Sequence, residues 1–217
     1  MQVAKEGGTV AHTLANDVAA LVYLAGQNVV TPHVWPARAD RPDRPDRLIF
    51  DFDPPGEGRF AEIRAAAREL GARLRDRGLE TFAMTSGSRG LHVVAPLRRT
   101  RSFQEVRAFA RQEANALVLD HRATLTTAQY KSQRRGRIFV DIGRTRYAHH
   151  AVAAYAVRAR PEASVATPLH WEELDDDSLG PRAFTIRDVL ARLEREGGDP
   201  WVQISAAAHA LPRVEAA

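Results

Sequence analysis

Two aspartates, Asp51 and Asp53, stand two positions apart in the run Arg47-Leu-Ile-Phe-Asp-Phe-Asp-Pro-Pro55. In a β-strand alternate side chains share a face. Both carboxylates therefore point the same way at the end of an apolar strand. Pro54 and Pro55 stop that strand, because proline cannot donate to a sheet ladder. Two like charges so close repel and are costly to desolvate. A hard divalent cation makes the pair tolerable, and Mg²⁺ sites of this kind are commonly completed by substrate phosphates. The plain alternative is a solvated turn after a strand. A third acid, Asp141, lies near the end of a second apolar run, Ile138-Phe-Val-Asp-Ile142. Three carboxylates at one sheet position would form a two-metal site for Mg²⁺ or Mn²⁺. Such a site activates a hydroxyl nucleophile on one side and stabilises departing pyrophosphate on the other. Taken alone, Asp141 could equally be a strand-end acid paired with Arg137 or Arg144.

The segment Thr85-Ser-Gly-Ser-Arg-Gly-Leu-His92 supplies groups suited to phosphate. Its glycines permit tight turns and close backbone approach to a ligand. Ser86, Ser88 and the backbone amides can donate to phosphate oxygens, and Arg89 adds a bidentate donor. His92 opens the next strand and could hold a triphosphate oxygen. Such a loop is common by itself; its value comes from the acid pair that accompanies it.

The 217 residues carry a formal net charge of +4 and no cysteine. Disulfides, thiol catalysis and thiolate zinc sites are excluded, and a reducing cytoplasm is the expected setting. There is no run of eighteen apolar residues, so no membrane span is expected. The start of the chain lacks the apolar segment of a signal peptide. Lys131, Arg134, Arg135, Arg137, Arg144 and Arg146 fall close together, while acids gather in Glu172-Glu-Leu-Asp-Asp-Asp177. A local basic block is the electrostatic footprint of a phosphate partner, though a solvated strand-loop face would look the same.

The elements that must position these residues follow from periodicity. Residues 1–10 read as a flexible start, 11–29 as a helix, 33–35 as a short strand and 36–46 as a Pro-rich loop. Strand 47–53 comes next, then an amphipathic helix over 59–77 with Gly78 at its C-terminal end. Strands at 80–85 and 91–96 flank the Ser/Gly loop. A helix at 102–119, a strand at 137–142, a further strand at 155–158 and short helices at 171–174 and 185–196 complete the reading. Thr185 and Asp188 suit a cap. From residue 47 the order is strand, helix, strand, strand, helix, strand. That is the split βαβ pattern of α+β, RNA-recognition-like cores, with a mostly antiparallel sheet and flanking helices. One domain is expected: an N-terminal helix and loop to residue 46, a core over 47–160 and a C-terminal helical part over 161–217.

Asp51-Phe-Asp53, Ser86-Gly-Ser-Arg-Gly-Leu-His92 and Val140-Asp141 resemble the three motifs of the archaeo-eukaryotic primase superfamily. More narrowly, the chain resembles the polymerase domain of bacterial ATP-dependent DNA ligase D, over roughly residues 12–196. His33-Val-Trp35, Ala154-Tyr-Ala-Val-Arg-Ala-Arg-Pro161 and Val165–Leu174 extend the likeness. The resemblance implies a nucleotidyltransferase that adds NTPs or dNTPs to a DNA primer end in non-homologous end joining. It implies that Asp51 and Asp53 bind both metals, and that Asp141 binds the catalytic metal and helps activate the primer 3′-hydroxyl. Ser86, Arg89 and His92 would hold the incoming triphosphate, and Arg158 would reach the phosphates as well. His33 would lie near the sugar. Lys131 and Arg137 would face nucleotide or template from a basic strand pair before Asp141, and Arg134 of the same basic block would bind DNA. DNA ends, Ku and a DNA ligase are the implied partners, in a bacterial cytoplasm at the nucleoid. Two departures are expected: arginine at 89 where the family usually has lysine, and a start too late to include the basic segment that grips a downstream 5′-phosphate.

Two rivals use some of the same residues. A haloacid-dehalogenase-type phosphatase also has Asp-x-Asp after an apolar strand, with the first aspartate as nucleophile. Pro54 and Pro55, and the lack of a downstream lysine followed by an acid pair, weigh against it. A non-catalytic module for DNA ends would keep the fold without the chemistry.

Overall fold

The computed structural model describes residues 2–5 and 7–212. The chain opens with a hairpin of β1 (Gln2–Lys5) and β2 (Gly8–Ala11). This corrects the expectation of a flexible start. Gly7, at φ +83°, supplies the left-handed residue that a tight hairpin needs. The first helix, α1, spans Val18–Gly26 rather than 11–29. Asp17 fixes its start by accepting the backbone N–H of Ala20 at 2.8 Å. None of its residues is buried, and Val18, Leu21, Val22 and Tyr23 are exposed. The apolar rhythm is real, but it faces outward.

After β3 (His33–Val34) comes the central strand β4 (Arg47–Asp53). Helix α2 (Phe60–Asp76), strands β5 (Phe82–Thr85) and β6 (Leu91–Pro96), and helix α3 (Phe103–Asp120) follow. Then come β7 (Leu125–Thr126), the single turn α4 (Lys131–Arg134) and β8 (Ile138–Asp141). The expected basic strand pair is thus corrected: Lys131 and Arg134 sit on a helical turn closed by Arg135 at φ 49° and Gly136 at φ +74°. Strands β9 (Ala151–Val152) and β10 (Pro168–Leu169) and helix α5 (Ile186–Glu196) complete the fold. Thr185 and Asp188 form the capping box of α5. The strand expected at 155–158 does not form. Tyr155 takes φ 63°, and Val157 makes only an isolated bridge to Val165.

The main sheet runs β10-β5-β6-β4-β8-β7. Its neighbours are antiparallel except β7 with β8. Alternation along β4 decides the use of each face. Leu48, Phe50 and Phe52 are fully buried with Ile63, Leu70 and Leu74 of α2 and Val106, Phe109 and Leu117 of α3. Each such side chain contributes about 2 kcal/mol by leaving water. On the other face a smaller cluster of Ile49, Met84, Val94, Val152 and Trp201 covers only part of the sheet. The rest of that face holds the polar residues of β4, β6 and β8.

Candidate active site

Register builds the site. Asp51 on β4 stands directly between His92 on β6 and Asp141 on β8. The next row places Asp53 beside Phe139. Directly opposed residues of an antiparallel pair share a face, so the three carboxylates occupy one patch at the end of three strands. The Ser86–Gly90 turn joins β5 to β6 beside them. Ser86 Oγ accepts the backbone N–H groups of Ser88 at 3.2 Å and Gly90 at 3.0 Å. Its own hydroxyl proton stays available to a ligand. Gly90 is required by close approach: a Cβ there would lie 2.0 Å from the Phe52 carbonyl oxygen. Gly87 has φ +63° against the backbone of Val165 and Ala166.

A cavity of about 330 Å³ brings together His33, Asp51, Asp53, Ser86, Ser88, Arg89, His92, Arg134, Asp141 and Arg158. Lys131 and Arg137 do not line it. Lys131 is exposed on α4, and the Arg137 guanidinium donates to the carbonyls of Arg122, Gln133 and Arg134. Two arginines that the sequence does not single out for this site take part. Arg144, read only as one of the basic block or a partner of Asp141, lies 3.4 Å from Asp51 and 3.8 Å from Asp141. Arg160 donates to Ser88 Oγ at 3.0 Å. Their one signal is proximity in sequence to Asp141 and Arg158.

An arginine lies beside every carboxylate. His92 Nε2 is 3.4 Å from Asp51. Burial alone would push the Asp51 carboxyl up, but His92 and Arg144 beside it win and hold it below the usual carboxylate range. Asp53 accepts from Arg89 at 3.2 Å and Arg134 at 3.1 Å, and Arg134 stacks 3.9 Å over Phe139. Asp141 accepts the Gly143 N–H at 2.6 Å. Arg158 makes no hydrogen bond or ion pair to a described residue with its side chain; burial and then Arg160 draw its pKa down. His33 donates from Nδ1 to the Thr31 carbonyl at 3.0 Å.

A family model described as the LigD primase-polymerase domain matches residues 1–201. The chain belongs to the LigD primase-polymerase domain family. The phosphatase reading falls with that membership. The domain is 35% identical over 207 residues to the multifunctional non-homologous end joining DNA repair protein LigD of Mycobacterium tuberculosis. That alignment covers 90% of this chain and 26% of the relative. The corresponding Pseudomonas aeruginosa protein is 34% identical over 188 residues, covering 84% of this chain and 22% of its own length. The chain thus spans about a quarter of these relatives. Among solved structures, the polymerase domain of Mycobacterium tuberculosis ligase D in complex with DNA superposes with a TM-score of 0.86 at 33% identity. The match covers 95% of this chain and 74% of that one. No helix among the described residues is long and apolar enough to cross a membrane.

The donor set fits a hard divalent cation: three carboxylates on one sheet face, with no thiolate nearby. As the side chains stand, however, no group of three described acids or histidines converges on one metal position. Guanidinium groups of Arg89, Arg134 and Arg144 supply the compensating charge instead.

Proposed function

We propose that this domain transfers a nucleotide from an NTP or dNTP to the 3′-hydroxyl of a DNA primer at broken ends, as part of non-homologous end joining. The observation that carries this reading is the row His92–Asp51–Asp141 beside Asp53 and the Ser86–Gly90 turn. Asp51, Asp53 and Asp141 would hold Mg²⁺ or Mn²⁺. Bound there, the cations would lower the pKa of the attacking hydroxyl and neutralise charge on the departing pyrophosphate. The protein contributes position and electrostatics. Arg158, whose side chain has no hydrogen bond or ion pair among the described residues, receives a triphosphate oxygen, and Arg89 would join it if Asp53 held a metal. The Ser86 hydroxyl and His92 would flank the same anion, and His33, which lines the same cavity, would lie near the sugar. Ku and a DNA ligase are the expected partners.

Extension of a labelled primer on gapped and recessed templates, with each NTP and dNTP and either cation, tests the reading. Asp51→Asn and Asp141→Asn should each lower incorporation about a thousandfold, ~4 kcal/mol in barrier. Their melting temperatures should stay near that of the parent. Extension that survives Asp51→Asn rejects the site. Tight binding of recessed ends without incorporation favours a non-catalytic module, a reading to which the arginine-saturated carboxylates lend some support.

A further inference from the structure

Next to the nucleotide cavity lies a second and larger cleft of about 520 Å³. The two meet at Arg134, Phe139, Asp141 and Arg144, which line both. The second cleft adds Arg107 and Arg111 from α3 and Arg146 from the loop after β8. Five arginines and one carboxylate, Asp141, thus line it, and two of the five, Arg134 and Arg144, also pair with Asp53 and Asp51. The three added arginines have no ion pair or side-chain hydrogen bond among the described residues. Within two of them, Nε of Arg107 and Nε of Arg146 are buried with no hydrogen-bond partner. A buried guanidinium donor left unmade costs the full desolvation of that group. Burial and then the like charges of Arg146 and Arg111 draw the Arg107 pKa down. The cluster has the unmet charge and donors of an anion site. Its opening onto Asp141 sets where that anion must lie relative to the reacting centre.

We infer that this cleft holds the last phosphodiesters of the strand whose 3′-end is extended, with Arg107, Arg111 and Arg146 on its phosphates. The inference rests on the proposed nucleotidyl transfer and adds to it the seat of the primer. Strand polarity follows from the joint between the cavities. The triphosphate occupies the Ser86–Arg158 side, so the attacking hydroxyl must arrive from the other side of Asp141, where the five arginines stand. Arg107 and Arg111 lie one helical turn apart on α3 and present a paired set of donors along one face. Asn115, one further turn along, and Thr127 add neutral donors to the same wall.

A double-mutant cycle on binding alone tests this without requiring turnover. Recessed primer-template is titrated into the whole chain by fluorescence anisotropy at several salt concentrations, for the parent and for Arg107→Gln/Arg111→Gln. Each DNA is also made with neutral methylphosphonates at the last primer phosphates, or at matched template phosphates. The double variant should bind at least about tenfold more weakly, with its log–log salt slope smaller by about 2. Primer methylphosphonates should weaken the parent by a similar factor and weaken the variant little further, whereas template methylphosphonates should weaken both equally. Additive losses on the primer strand, unchanged affinity in the variant, or coupling to the template strand overturns the inference. Arg107→Lys/Arg111→Lys should restore most of the affinity and distinguishes charge from packing. The extension assay on the parent chain stands apart: its failure rejects nucleotidyl transfer, while additive binding losses in a chain that extends primers reject only the seat of the primer.

Discussion

Arg158 and Gly90 show how single residues divide between ligand and fold. Among the described residues the Arg158 side chain has no hydrogen bond or ion pair, so Arg158→Ala should leave stability within about 0.5 kcal/mol of the parent. It should nevertheless raise KM for the nucleotide about 10- to 100-fold, the range expected for one charge-assisted hydrogen bond. Steady-state extension and thermal unfolding of the same preparation check both halves. Gly90→Ala should do the reverse. Its Cβ would meet the Phe52 carbonyl at 2.0 Å, between the two metal-seeking aspartates, and backbone cannot yield as a side-chain tip does. Destabilisation of at least about 3 kcal/mol is expected, read as a fall in melting temperature. The three aspartates were legible as a group in the sequence because strand alternation is rigid: once β4 and β8 are strands, Asp51, Asp53 and Asp141 must share a face if the strands pair. Arg144 and Arg160 were not, because their reach depends on loop conformation that carries no period.

The elements reveal a different limit. Strand β4 and helices α2 and α3 announce themselves by long apolar patterns, and the structure forms them within a residue or two of the expected ends. Strands β7, β9 and β10 are two residues each and exist only because a neighbour offers a ladder. Helix α1 was overextended because apolar residues continue upstream of its Asp17 cap. Helix α3 also carries a misfit that its pattern hides. Glu113 is almost wholly buried, and although Arg77 lies 3.4 Å from Oε1, that oxygen has no hydrogen bond. Burial pushes the carboxyl up against the pull of Arg77 and Arg73. A raised folded-state pKa means that the fold prefers the protonated form. The contribution is full below the ordinary glutamate range and is lost as pH rises through the raised value, so the domain bears the cost at pH 7. Glu113→Gln should therefore stabilise by about 1 kcal/mol at neutral pH and by little near pH 4. Melting curves at both pH values decide it; a lower melting temperature for the variant at pH 7 would show that the Arg77 pair outweighs burial.

At the scale of the whole molecule, net charge says less than its placement. The chain's +4 is small for 217 residues, and arginines elsewhere are spent on carboxylates, as in Arg64–Asp177, Arg73–Asp120 and Arg192–Glu173. Across the two joined cavities the balance is different. Seven arginines face three carboxylates there, which leaves four positive charges on the open part of one sheet face and the adjoining α3 edge. Pairs on the far side are short-range and cancel beyond a Debye length of about 10 Å, whereas the uncompensated patch does not. A single strand laid along it should displace about four condensed counterions. The logarithm of its association constant should then fall with the logarithm of salt concentration with a slope of about −3. The slope should be almost independent of base sequence, since phosphate contacts position a strand without reading it. Replacing Arg107, Arg111 and Arg146 should bring the slope to about −1, whereas reversing charge at Arg68 or Arg195, which lie outside both cavities, should leave it unchanged. Titrations on single-stranded and recessed DNA over the same salt range measure this directly. A parent slope near zero would mean that the four uncompensated arginines do not meet the strand's phosphates, and would remove the electrostatic basis for primer capture.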